Sequence, residues 1–100
     1  MCLRQRSMVE IDYLESVGFV IDKRVNTIHC TIKNDDMGYT TISYMDGYFC
    51  LGSSVYTSFD HLVNVVSNNS IYQGYGIKIR EDSYKLFKRK ETINKIIKLC

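Results

Sequence analysis

The chain has 100 residues, 45% of them apolar, with thirteen Lys and Arg against eleven Asp and Glu. That length supports one domain with a two-layer core and excludes a multi-domain enzyme, while the apolar share excludes global disorder. No apolar run approaches the roughly eighteen residues of a membrane span, and residues 1–8 lack the apolar stretch of a secretory signal, so a cytoplasmic location is expected.

Arg6 to Val17 is predicted to form the first helix. Ser7 stands at the N-cap with Glu10 three residues on, which is the capping-box spacing. Met8, Ile11, Leu14 and Val17 make one apolar stripe, and Gly18 closes the helix. Phe19-Val-Ile21 reads as a short buried strand that turns polar at Asp22-Lys-Arg24. Thr27 to Lys33 alternates, with Ile28, Cys30 and Ile32 on one side and Thr27, His29, Thr31 and Lys33 on the other, the pattern of a half-buried strand. Asn34 to Gly38 is a hairpin loop, Tyr39 to Tyr44 the returning strand, and Asp46-Gly47 a tight turn into Tyr48-Phe-Cys-Leu51. Gly52-Ser-Ser54 interrupts before Val55-Tyr56. Thr57 or Ser58 caps a second helix in which Phe59, Leu62, Val63 and Val66 fall at i, i+3, i+4 and i+7. Beyond its end at Ser67–Ser70, Ile71 to Gly76 is expected as a Tyr- and Gly-bearing loop and Ile77 to Arg80 as a short strand. Thr92 is expected to cap a last helix bearing Ile93, Ile96 and Ile97. This order implies an α+β fold, an antiparallel sheet with a helix on each face.

The residues that carry chemistry are sparse. Cys2, Cys30, Cys50 and Cys100 are scattered, and His29 and His61 stand at no metal-ligand spacing from them, so reduced thiols, no metal and no cofactor are expected. Asp35 and Asp36 are neighbours in a loop and point apart, which suits neither a shared proton nor a Ca²⁺ loop. No nucleophile is tied to either histidine by a motif, and the chain reads as non-catalytic. All eight basic residues of the second half lie at or after Lys78. They open a second reading, a small nucleic-acid-binding protein that uses Lys85, Lys88, Arg89, Lys90, Lys95 and Lys98 with Tyr84 and Phe87 as stacking residues. The sheet residues argue against it, because Thr, Ser and His lack the aromatic pairs of an RNA-reading sheet. Ile, Lys, Tyr and Asn make up one third of the chain, and their AT-rich codons suggest the genome of a large DNA virus or an intracellular microbe.

The order and the local strings together resemble the SH2 family. Thr27-Ile-His-Cys-Thr-Ile-Lys33 is similar to its central strand, Tyr39-Thr-Thr-Ile-Ser-Tyr44 to the strand that follows, and Asp46-Gly-Tyr-Phe49 to the next turn and strand. Ser58-Phe-Asp-His-Leu-Val63 is similar to the opening of the family's second helix, Gly18-Phe-Val-Ile21 to the start of its phosphate-binding strand, and Val9-Glu10 to the Ala-Glu of its first helix. The resemblance covers about three quarters of the chain. It implies an SH2-like domain over residues 1–82, a central antiparallel sheet flanked by two helices, with residues 83–100 as a helical extension packed on the domain or on a partner. It further implies a protein-interaction module that binds a phosphotyrosine-containing segment of a signalling protein, interfering with or bridging its signalling. With a viral origin, that would be a host protein.

The family's phosphate pocket rests on an arginine whose guanidinium grips two phosphate oxygens. The matching position here is Asp22, a carboxylate that repels phosphate, and strand parity offers Arg24 instead. Arg6, with Arg4 as substitute, and Thr41 complete the phosphate-binding set that the resemblance implies. Its specificity pocket falls on Leu51, Ser53, Ile71, Tyr72 and Tyr75. The alternative is an SH2-like module that binds its partner, a tyrosine-containing segment, without phosphate. The apolar side of the last helix, with Ile93, Ile96, Ile97 and Leu99, either covers the domain's own core or pairs with a second copy.

Overall fold

Alternating apolar and polar residues suit a sheet covered on one face, and the chain uses them to build a single antiparallel meander. The computed structural model describes residues 8–97. Its strands are β1 (Val20–Lys23), β2 (Ile28–Lys33), β3 (Tyr39–Met45), β4 (Tyr48–Leu51) and β5 (Ser54–Tyr56), which pair in chain order. The register sets Cys30 beside Ile42, Ile42 beside Leu51, and Tyr44 beside Phe49. Together with Ile21, Ile28 and Ile32 these residues share one face and supply the sheet's half of the core. Asp22, His29, Thr31, Thr41, Ser43 and Cys50 share the opposite face, and none of them is buried. The β3–β4 turn needs two consecutive left-handed residues, and Asp46 (φ 52°) and Gly47 (φ 85°) provide them.

Among the described residues four helices accompany the sheet: α1 (Val9–Ser16), α2 (Phe59–Ser67), α3 (Ser70–Gly74) and α4 (Glu81–Ile97). The Ser58 side chain caps α2 by accepting the His61 amide, and the helix buries Phe59, Leu62, Val63 and Val66. The start of α1 corrects the sequence reading. It begins at Val9 behind an extended Met8 that makes no side-chain capping bond, while Arg6 and Ser7 lie outside the described residues.

The placement of the helices is the larger correction. Ile32, on the core face of β2, reaches within 3.3 Å of where a Cβ on Gly18, just past α1, would stand. Phe59 of α2 packs on Phe49, also on that face, with ring centroids 4.9 Å apart, and meets Tyr13 of α1 at 6.5 Å. Both helices therefore lie on the same face, and α4 packs against each of them. A helix on each face was expected. The outer face of β2 carries Thr, His and Lys, and that of β3 sets Thr41 and Ser43 between Tyr39 and Met45, so covering it would desolvate a run of polar groups for little apolar area gained.

Three further expectations change. Ile71–Gly74 is helical within α3, capped by the Asn69 side chain, which accepts the amides of Ile71 (2.9 Å) and Tyr72 (3.2 Å). Ile77 to Arg80 forms no strand, yet it carries Ile77 and Ile79 into the core as a buried connector. Helix α4 starts at Glu81, so Thr92 sits inside it. Tyr84 is buried between Tyr13 and Phe59, at centroid distances of 4.9 and 5.0 Å, and Phe87 meets Tyr13 at 5.6 Å. No structural break thus falls between residues 82 and 83. The side chains of Ile93, Ile96 and Ile97, and all of Leu99, lie outside the described part, and so does the pairing of two copies expected there. Among the described residues no helix is long and apolar enough to cross a membrane.

Candidate functional site

Thr41, Leu51, Ile71, Tyr72 and Tyr75 line one open groove with a volume of about 690 Å³. Its near side is the first half of β3, Tyr39 to Thr41, together with Cys50 and Leu51 at the end of β4. Its far side is Asn69 and α3. The groove is held open by contacts specific to this sequence. Gln73 donates to the Val66 carbonyl at 2.7 Å and fixes α3 to α2. The Asp35 amide donates to the Tyr75 carbonyl at 2.9 Å and fixes the β2–β3 loop to the end of α3. Gly76 (φ 82°) makes that junction possible, because the Asp35 carboxylate lies where a side chain at this position would begin. At the rim, the buried Thr40 hydroxyl donates to Asn34 Oδ1 at 2.7 Å, so neither polar group is left unpaired.

Tyrosines dominate the wall. Tyr72 and Tyr75 stand edge to face at 6.1 Å, and both pack against the core. Burial, with smaller contributions from Tyr56 and Tyr75, pushes the Tyr72 phenol above its ordinary range. Among the described lining residues the only charged side chain is Asp36, and no Lys or Arg is present. The groove therefore offers aromatic surface and neutral hydrogen-bonding groups, without a cation for phosphate.

Two of the expected phosphate-binding residues, Arg24 and Thr41, stand apart. Arg24 lies past the end of β1, where its guanidinium pairs with Asp22 at 2.9 Å in a solvent-exposed ion pair. Thr41 lies in the groove and meets Thr31 at 3.3 Å across the β2–β3 pair. From the register, Arg24 and Thr41 are two strand spacings apart across the sheet and four residues apart along it, roughly 16 Å between backbones. Arg6 is outside the described residues. The specificity residues fare differently: Leu51, Ile71, Tyr72 and Tyr75 converge, while Ser53 sits in the β4–β5 turn outside the groove lining. Sequence reading missed Tyr39, Cys50, Asn34 and Asn69 as groove residues. Asn69 carried a usable signal, since Asn directly before Ser70-Ile-Tyr is a helix N-cap pattern.

Other groupings offer less. His29 Nδ1 lies 3.0 Å from Ser43 Oγ across the β2–β3 pair, but Asp22, next in the same row, is held by Arg24. His61 meets the Tyr56 ring edge-on at 5.2 Å. Among the described residues no three His, Cys, Asp or Glu side chains are grouped to hold a metal. Burial pushes the Cys30 thiol up to about 11. Of the two stacking residues the nucleic-acid reading needs, Tyr84 is buried in the aromatic cluster with Tyr13 and Phe87 is partly buried against it. No protein family, curated protein or solved structure matches this chain.

Proposed function

We propose that the chain is a non-catalytic protein-interaction module that takes a tyrosine-containing segment of a signalling protein in the β3–α3 groove without requiring phosphate. The observation that carries this reading is the preformed aromatic wall of Leu51, Ile71, Tyr72 and Tyr75 beside a lining that holds Asp36 and no described cation. A neutral side chain loses little on entering such a wall, whereas a phosphate dianion needs two or three charge-assisted hydrogen bonds to offset its desolvation. The phosphate-dependent form, which the SH2 resemblance suggests, rests on Arg24, and Arg24 is already paired with Asp22 at the far side of the sheet.

An NMR titration of the ¹⁵N-labelled protein tests it, with short tyrosine peptides beside their phosphorylated twins. Equal responses to both twins, centred on Thr41, Leu51, Tyr72 and Tyr75, are expected. A response that needs phosphate, centres on Arg24 and disappears in Arg24→Ala would replace it with phosphotyrosine recognition. Silence at millimolar peptide would remove the tyrosine preference.

A further inference from the structure

The backbone at the groove's near side is as informative as its side chains. Antiparallel pairs alternate between residues that exchange hydrogen bonds and residues that do not. The Asn34 amide donates to the Gly38 carbonyl at 2.7 Å, which fixes the phase of the β2–β3 ladder. Ile32 with Thr40, Cys30 with Ile42 and Ile28 with Tyr44 are then the bonded pairs. Tyr39, Thr41, Ser43 and Met45 turn their amides the other way, toward β4. Ser43 and Met45 meet Cys50 and Tyr48 there, but the β4 register ends at Leu51 opposite Ile42, and the chain turns off at Gly52 (φ 62°) into β5. Among the described residues, no strand lies against Tyr39 and Thr41 on that side.

Resting on the groove reading above, we infer that the partner binds by strand addition: an extended segment lies antiparallel to β3, in line with β4, and accepts hydrogen bonds from the Tyr39 and Thr41 amides. These amides are two residues apart, about 6.8 Å along an extended chain, the repeat at which an extended backbone presents carbonyls to one side. Neither a small aromatic molecule nor a nucleic-acid base has that repeat. Side chains of the added strand alternate between faces. The residue level with Thr40 points to the helix layer and enters the wall of Ile71, Tyr72 and Tyr75, which suits an aromatic or branched apolar side chain. Its neighbours lie on the open face beside Tyr39, which is 68% exposed. Partner choice then rests on one buried side chain and on an extended backbone, with no dependence on phosphate.

The test starts from a phage-displayed library of linear twelve-residue peptides selected on the full chain. The tightest peptide is synthesised with each amide N-methylated in turn, and groove occupancy is read from shifts at Leu51, Tyr72 and Tyr75. Strand addition expects a tenfold or greater loss at alternate peptide positions only, with slowed hydrogen exchange at Thr41. Thr41→Pro removes the donor on the groove side and spares the β2 ladder, so it should weaken binding at least tenfold; the N-methyl series decides the matter if that variant folds poorly. A peptide that occupies the groove but tolerates N-methylation everywhere overturns strand addition and leaves the groove reading standing. Failure to recover any groove-binding peptide overturns both. Slowed exchange at Thr41 without peptide, rising with protein concentration beside a sedimenting dimer, would make a second copy of this chain the occupant.

Discussion

The two faces of the sheet, built from alternate residues of the same strands, differ in almost every property. On the covered face, Cys30, Ile42, Phe49 and Leu51 are buried against three helices in one continuous core. On the open face, Val20, Tyr39, Met45, Tyr48 and Val55 stand exposed among Thr, Ser and His. The covered face supplies stability, and only its margin at Thr40 and Leu51 reaches the groove. The open face and its β3 edge contribute little to stability and keep unspent hydrogen-bonding capacity, so recognition can reside there without weakening the fold.

Adjacent residues on β3 give the strongest test of that division. Ile42→Ala, at a site 1% exposed, should cost about 2–5 kcal/mol, whereas Thr41→Ala should stay within about 0.5 kcal/mol. In a domain of this size the first corresponds to a drop of roughly 10 °C or more in Tm, and similar values for the two variants would break the comparison.

Cys30 and Cys50 extend it to pH. The buried Cys30 thiol ionises only at about 11 in the folded chain, against 9.0 for an ordinary thiol. Its folded pKa is raised, so its contribution is intact below pH 9 and is lost as pH climbs toward 11, on the order of 2 kcal/mol in all. Denaturant midpoints measured from pH 8 to 11 should fall less steeply in Cys30→Ala than in the parent chain, and identical slopes would dismiss the effect. Cys50, half-buried on the open face, should meanwhile alkylate much faster than Cys30 in the native protein.

A smaller effect is expected at the groove wall. Asn69→Ala removes the cap of α3 and should cost about 1 kcal/mol, while the amide signals of Ile71 and Tyr72 shift and any groove-bound peptide weakens. Smallest of all is Arg24→Ala. Its pair with Asp22 leaves the two side chains 66% and 53% exposed, so thermal unfolding should change by less than about 0.5 kcal/mol and groove binding not at all.

The sequence made the local elements legible wherever one period dominated. The i, i+3, i+4, i+7 stripe of α2, the alternation of β2 and the Asp46-Gly47 turn all appear at the expected residues. The same alternation also bore on the layer arrangement, since a strand whose second face is Thr, His, Thr and Lys has no use for a second helix layer. Placing a helix on each face followed the order of the elements over that local signal. Helix α3 was illegible because five residues make barely more than one turn and carry no stripe; its stability comes from Asn69 and from packing on α2. The onset of α4 was hidden by the charges of Lys85 to Lys90, although Tyr84 and Phe87 already stood at i and i+3. Of the candidate site, Leu51, Ile71, Tyr72 and Tyr75 come from the family resemblance, and the Tyr and Gly content of residues 71–76 suits an aromatic wall. The unpaired edge could not be read from the sequence, because it depends on where β4 stops relative to β3.

The Tyr13 hydroxyl accepts the Arg80 amide at 3.1 Å and lies 2.5 Å from Ser83 Oγ, in the middle of the aromatic cluster. That bond sets an order on biosynthesis. The strand hairpins close over short loops and can form as they leave the ribosome, but α1 must wait until more than sixty further residues have emerged before its tyrosine hydroxyl finds a partner. Until then Phe59 is the one ring of the cluster that Tyr13 can meet, and the nascent chain carries an unfinished core. A stop codon between Ser67 and Arg80 would therefore leave the hairpins and the first two helices without the Tyr84 and Phe87 packing, a natural substrate for chaperones and proteases.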